Sequence, residues 1–351
     1  MKIFATGVTG YVGGDALHVI LQAHPDWQYS FLVRDRARMA SATDKYASIR
    51  VVEGDLSNLE LLRTEAAAAD IVMHFASADD APAVRAILEG LGSNSQTRFF
   101  IHTSGTANLL YYDMLSGSVG NKGAKVYDDI EDIKTITSWP DAVFHRPVDK
   151  IVLEAGAKHP NIQTAVVCPP AILGVGRGPG NKRTIQVPLL IELSRRRGKA
   201  FQIEKGEAAW SFIHIYDLSD VFLRLADAAA AGGANADWGS EAYYFTESGD
   251  LEWGAVGRSV AKALYEAKAL PTDEVDVLTA EEATQLHPLI VGSAGMNSRS
   301  RASRARKVLG WEPKVVDFEE SLKEGVAQEL EAAQTRLEEM EQGHMPAPAK
   351  A

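Results

Sequence analysis

The apolar residues of this chain are bunched into short runs, and the intervals between the runs have the spacing of helices. Residues 3–5, 29–33, 49–52, 71–75 and 99–106 hold aliphatic and aromatic runs of strand length. Residues 15–23, 57–68 and 80–91 lie between them and read as helices. Strand and helix in alternation predict a parallel sheet with helices packed on it. Further along, 162–168 and 243–246 continue the strand pattern, while 184–196 and most of 250–292 are helical in character. An amphipathic helix is expected over 317–342, ahead of a Pro-Ala tail of disordered composition. The glycine-rich stretch 174–180 reads as a flexible loop long enough to form a lid, and 228–239, rich in alanine and glycine, as a surface loop.

Composition removes several classes. A chain of 351 residues has room for one large α/β unit and a smaller partner. The net charge of −11 leaves no basic face for nucleic acid or an anionic membrane. Cys168 is the single cysteine, so neither a disulfide nor a cysteine metal cage is expected, and no other metal-ligand cluster is evident. No apolar run approaches a membrane span and the first strand begins beside Met1, so a signal peptide is not expected and the cytoplasm is the default location.

The chemistry starts at Thr6-Gly7-Val8-Thr9-Gly10-Tyr11-Val12-Gly13. Glycines three apart between a strand and a helix make an anion seat. Gly7 permits the tight turn, Gly10 lets a phosphate approach the backbone, and Gly13 lets the helix pack closely, so a pyrophosphate rests on the helix N-terminus. About twenty residues on, where such folds choose their dinucleotide, the second strand ends in Arg34-Asp35-Arg36. Arg34 suits a 2′-phosphate, and Asp35 a bare ribose.

The glycine string resembles the T-G-x-T-G-[FY]-[IV]-G opening of the extended short-chain dehydrogenase/reductase family, and the resemblance runs over about residues 1–325. It implies an α/β fold with a Rossmann-type, doubly wound parallel sheet and a smaller, mainly helical C-terminal substrate lobe. The implied domains are 1–168 for the dinucleotide, with returning segments near 209–246; 169–208 and 247–325 for the substrate lobe; and 326–351 as terminal helix and tail. Leu32-Val33-Arg34-Asp35 is similar to NADP-using members, so NADP(H) is favoured over NAD(H). Asp55 and Leu56 match the family's G-D-[LV] step at the adenine, and Phe75, Ala76 and Ser77 match its H-x-A-[AS] step along the dinucleotide. Residues 162–174 look like the sixth strand and its R-P-P-x-[IV]-[YF]-G ending, with Cys168 in place of the arginine. There Pro169 and Ile172 close over the nicotinamide end. With Gly7, Thr9, Gly10, Tyr11, Val12, Gly13, Arg34, Thr103 and Lys150, these make up the cofactor site that the resemblance implies.

The reagents depart from the family. Its serine falls on Gly105, flanked by Ser104 and Thr106. Its Y-x-x-x-K falls on Arg146 and Lys150, so a permanent cation stands where a phenol would move a proton. Arginine stabilises an oxyanion but does not act as a neutral-pH acid. Pro147 suits the first turn of the helix and leaves His145 at its start as a stand-in proton donor. Tyr111, Tyr112 and Tyr127 are alternative acids. The catalytic candidates are therefore Lys150, which also serves the nicotinamide ribose, Arg146, Thr106 and His145. His74 and Cys168 read as packing residues.

Three functions share this scaffold. The favoured expectation is an atypical NADP(H)-dependent oxidoreductase acting on a small carbonyl, enone or imine compound, in secondary metabolism. The others are a redox-neutral isomerase, epimerase or cyclase with retained dinucleotide, and a non-catalytic NAD(P)-sensing regulator. No nucleic-acid or membrane partner is expected, and the resemblance implies a homodimer through the helices preceding and containing Lys150.

Overall fold

The computed structural model describes residues 1–93 and 95–341. The expected Pro-Ala tail lies outside the described residues. Seven strands form the main sheet: β1 (Lys2–Thr6), β2 (Gln28–Val33), β3 (Ile49–Glu53), β4 (Ile71–His74), β5 (Arg98–Thr103), β6 (Ile162–Cys168) and β7 (Tyr243–Phe245). Their order is β3-β2-β1-β4-β5-β6-β7, and every pairing is parallel. Register is set by apolar residues on both faces: Ile3 lies between Tyr29 and Ile71, and Ile101 between Met73 and Ala165. Strands buried on both faces explain why the sequence shows continuous apolar runs and not alternation.

Strand order reverses between β1 and β4, and at such a switch point the crossovers leave a crevice beyond the strand ends. The helix Tyr11–Ala23 lies against Ile215–Ala230, while Leu59–Ala68, Ala81–Gly92 and Arg146–Leu153 form a second group. The first helix starts four residues before its composition suggests. Gly13 and Gly14 lower helix propensity there, and packing against Phe75 and the loop at Gly178 demands them. The alanine-rich stretch expected as loop from 228 is helical to Ala230, because Leu218, Val221, Phe222, Leu225, Ala226 and Ala229 give the preceding turns one buried stripe.

The second lobe has its own buried cluster, centred on Leu190, Phe201, Trp253 and Leu264. It adds short strands that a helical reading of 250–292 passes over. Gly249–Glu252 pairs antiparallel with Ala209–His214, which runs parallel to Ala171–Leu173, and Val275–Leu278 pairs with Ala200–Ile203. Strands of three or four residues are too short to show a periodicity. Residues 302–311 return to the main core, where Trp311 is fully buried and its indole N–H donates to the Asp217 carbonyl at 3.1 Å.

Phe222 fixes the helix Ile215–Ala230 to the end of β4. It is fully buried and meets the Phe75 ring edge-on, centroids 4.9 Å apart. Phe222→Ala is expected to lower unfolding free energy by about 3–5 kcal/mol, read from urea denaturation midpoints at constant slope.

Candidate active site

The dinucleotide seat follows from two contacts that tolerate no side chain. Gly7 has φ +73, and a Cβ on it would lie 2.5 Å from the Phe75 carbonyl carbon. A Cβ on Gly13 would lie 2.5 Å from the Gly7 carbonyl oxygen. The Gly10 N–H donates to that same oxygen at 2.9 Å, and Gly10 is the extended residue before the helix. The N–H groups of Tyr11, Val12 and Gly13 precede the first intrahelical bond, and so face outward from the positive end of the helix. A cradle of this shape fits a pyrophosphate.

Where the resemblance puts the adenosine, Arg34 is exposed just past β2, while the Asp35 carboxylate accepts from the Ala37 N–H at 2.9 Å and caps the following turn. Asp55 accepts from the Ser57 hydroxyl and N–H at 2.6 and 2.8 Å, which holds its carboxyl below the usual range. Leu56 packs at the core margin, Phe75 is buried, Ala76 is half-buried and Ser77 is exposed. The Thr103 hydroxyl has no partner among the described residues. The Pro169 carbonyl accepts from the Thr106 N–H, and the Ile172 carbonyl from the Thr184 hydroxyl. The Tyr11 phenol is committed elsewhere. It donates toward the Leu173 and Gly174 carbonyls at 3.1 and 2.6 Å, and burial pushes its pKa up.

The four predicted catalytic residues have different surroundings. Arg146 is buried, and its guanidinium donates to the Trp139 carbonyl at 3.1 Å and to the Thr137 carbonyl. Lys150 is half-exposed, 3.8 Å from Asp141, in a groove with Arg85 and Glu89 between two helices. Thr106 is buried, with its carbonyl accepting from the Ser298 hydroxyl and its own hydroxyl without a partner among the described residues. His145 stands beside Gly105: a Cβ built there would lie 3.4 Å from its Nε2. Its Nδ1 is 2.9 Å from the Asp79 carboxylate, and its backbone is left-handed at φ +64. Such a φ is uncommon outside glycine and concentrates at functional sites. Of the alternative acids, Tyr127 is buried against Trp139, its phenol pushed up to about 12, and Tyr112 is exposed.

The spacing of four that the resemblance lays on Arg146 and Lys150 is thus occupied, one residue earlier, by His145 and Asp149. Asp149 is buried, and its Oδ2 accepts from the Ser104 and Tyr243 hydroxyls, both at 2.9 Å. The Asn108 amide donates to Tyr243 at 2.7 Å. Asp149 Oδ1 has no hydrogen-bond partner among the described residues and lies 4.0 Å from His102 Nε2, itself unpaired. His102 stacks on His74, centroids 5.3 Å apart, and the Thr6 hydroxyl donates to His74 Nδ1 at 2.6 Å. A polar row therefore crosses the sheet under the strand ends. Burial holds both imidazoles neutral, with His74 lowered to about 4 and His102 also lowered. Burial also raises Asp149 to about 6 against the donors that would lower it, and raises the Cys168 thiol beside it.

Sequence comparison places this geometry. Residues 3–238 match the NAD dependent epimerase/dehydratase family. The chain belongs to that family. As a member it is an NAD(P)-dependent enzyme of the short-chain dehydrogenase/reductase superfamily, of dinucleotide-dependent oxidoreductase type. It is 36% identical over 322 residues to Oxidase ucsJ of Acremonium sp, covering 89% of this chain and 92% of that protein. Its fold is similar to dTDP-glucose 4,6-dehydratase from Streptomyces venezuelae, with TM-score 0.68, 16% identity and coverage of 95% and 98%. It is also similar to UDP-glucose 4-epimerase from Thermotoga maritima, with TM-score 0.65, 15% identity and coverage of 95% and 100%. Among the described residues no group of acidic, histidine and cysteine side chains is arranged to hold a metal, and no helix is long and apolar enough to cross a membrane.

Asp79 and Asp149 belong to this cluster and are passed over by a sequence reading. Asp149 carries a usable signal, a carboxylate among Val148, Val152 and Leu153 on the buried side of its helix. Asp79 carries none, since its role depends on a partner 66 positions away. An acid whose pKa rises from 3.8 to about 6 on folding binds its proton more tightly in the folded state. It therefore removes stability as pH climbs through that interval. Asp149→Asn abolishes the loss, by up to about 3 kcal/mol for two pKa units. The variant is expected to gain on the wild type in urea denaturation between about pH 4 and about pH 7, with no gain below that window.

Proposed function

We propose that the protein is an NADP(H)-dependent oxidoreductase acting on a small carbonyl, enone or imine compound, with His145 as its proton carrier. The observation that carries this reading is the alignment of Asp79, His145 and Gly105. Asp79 accepts from Nδ1–H, which fixes the ring and its tautomer and leaves Nε2 to hold or release a proton. Nε2 faces the position where the family carries a serine, and the missing side chain at Gly105 leaves room for the ring and a substrate oxygen.

The dinucleotide, when bound, supplies or accepts the hydride. In the reducing direction protonated His145 gives its Nε2 proton to the substrate oxygen or nitrogen and is left neutral, still bonded through Nδ1–H to Asp79. Hydride plus proton completes the reduction, and the reverse sequence describes an oxidation. The name of the Acremonium relative, an oxidase, supports redox chemistry. The cofactor preference rests on Arg34, exposed at the strand end, while the neighbouring carboxylate that a bare ribose would need is engaged in its own turn.

The test is anaerobic mixing of the protein with NADPH or NADH and p-nitrobenzaldehyde or cyclohexenone, followed by loss of reduced-nicotinamide absorbance. His145→Gln is expected to slow turnover by about 10²–10⁴-fold with dinucleotide affinity little changed. Gly105→Ser, which crowds Nε2, is expected to lower turnover by at least about tenfold. Wild-type turnover by His145→Gln, or product formed without net oxidation of the nucleotide, would remove this reading.

A further inference from the structure

The glycine stretch after Leu173 does not behave as the open lid its composition suggests. Residues 174–183 run as a strap from the substrate lobe onto the first helix. Arg177 meets Asp15 three times: its backbone N–H and Nε donate to Oδ2 at 2.7 and 3.1 Å, and Nη2 donates to Oδ1 at 2.7 Å. Asp15 is fully buried and also accepts from the Ser219 hydroxyl at 2.6 Å. The guanidinium lies 3.8 Å over the Tyr216 ring.

What the strap does at its other end gives this pairing a purpose. The Asn181 N–H donates to the Thr9 carbonyl at 2.9 Å. The Gly10 N–H belongs to the same peptide unit and donates to the Gly7 carbonyl, also at 2.9 Å. The peptide joining Thr9 to Gly10 is therefore clamped at both ends, and the outward N–H groups of Tyr11, Val12 and Gly13 follow it directly. Close approach is built in: a Cβ on Gly180 would lie 2.2 Å from the Thr9 carbonyl oxygen, and one on Gly178 would lie 2.6 Å from Gly14. Farther along, Arg183 pairs with the buried Glu329 of the C-terminal helix at 3.0 Å, so the strap is held beyond the seat as well.

We propose that Asp15 and Arg177 are positioning residues for the dinucleotide: their ion pair anchors the strap that holds the phosphate-facing backbone in its binding geometry. The proposal rests on the dinucleotide site described above and adds residues that lie behind the seat and donate nothing to the ligand. A seat ordered before binding spares the ligand the loss of backbone freedom that ordering would otherwise demand, so loosening the strap should appear as lost affinity. It also means that a segment of the substrate lobe helps to form the cofactor site.

Two unrelated changes test it in the full-length protein. Gly180→Ala forces the strap off Thr9 without touching a charge. The double variant Asp15→Asn with Arg177→Gln removes the ion pair without stranding a buried carboxylate. Isothermal titration with NADPH and NADH is expected to show each variant binding the preferred nucleotide at least about tenfold more weakly. Hydrogen exchange in the nucleotide-free variants should rise over residues 7–15 and the strap, and stay at wild-type level in β4, β5 and β6. Unchanged affinity in both variants overturns the proposal, as does weaker binding accompanied by faster exchange across the whole sheet, which would mark a merely structural pair. A wild-type protein that binds neither nucleotide would instead sink the dinucleotide site itself and this inference with it.

Discussion

The packing of Gly7 and Gly13 against each other and against Phe75 is the constraint on which the rest of the molecule depends. β1 is followed by the left-handed Gly7, where a Cβ would strike backbone just past the end of β4, and a Cβ on Gly13 of the helix that follows would strike the carbonyl of Gly7. Contacts at this distance exist only without a Cβ, so helix, turn and two central strands form one packing unit. Its position is the reversal point of the strand order, where strand ends open a crevice. Phe75 carries the constraint outward through its ring to Phe222, and the strap carries it through Thr9 to the second lobe. An anion seat and a hydrophobic core are here consequences of the same three residues.

The reacting end is best understood as an exchange of space. Where the family serine would stand there is no side chain, and an imidazole from the opposite segment fills toward the gap. For His145 to reach it, its backbone must turn left-handed immediately before the helix Arg146–Leu153, a conformation that needs support from its surroundings. Arg146 supplies that support. Its buried guanidinium joins the carbonyls of Thr137 and Trp139, tying down the segment that leads into the turn. A residue that the family pattern places among the reagents thus has its guanidinium engaged by backbone carbonyls.

The fold was legible in the sequence because it depends on runs: strands buried on both faces are unbroken apolar stretches, and the helices between them have ordinary amphipathic spacing. The tight strand-to-helix turn was legible because three glycines at fixed offsets have few other uses in that setting. Short strands of the second lobe were not legible, since Ala200–Ile203 and Val275–Leu278 stabilise each other across a gap in sequence and neither has a pattern of its own. At the candidate site the sequence shows which residues border the departures from the family pattern and not which partners they meet. His145 and Thr106 drew notice because they border the glycine and arginine that replace the family's serine and tyrosine, whereas Asp79 and Asp149 meet partners set by the tertiary structure, and Lys150 lies half-exposed beside Asp141.

Two buried acids of the molecule contrast. Burial raises Asp129 to about 7, yet each of its oxygens has a structural task, accepting from the Arg304 and Phe245 N–H groups at 2.8 and 2.9 Å. Folding alone explains that carboxylate, because two backbone donors would otherwise be stranded. Asp149 has two hydroxyls on one oxygen and nothing on the other, a task that a neutral amide performs without the penalty of a buried charge. An under-satisfied carboxylate, an unpaired imidazole at His102 and a strained backbone at His145 lie within one short stretch of the molecule, around a missing side chain at Gly105. Buried polar groups without a partner also occur elsewhere among the described residues, at Thr164 and Trp253, so it is the meeting of carboxylate, imidazole and left-handed backbone at one missing side chain, and not the mere absence of a partner, that sets this cluster apart.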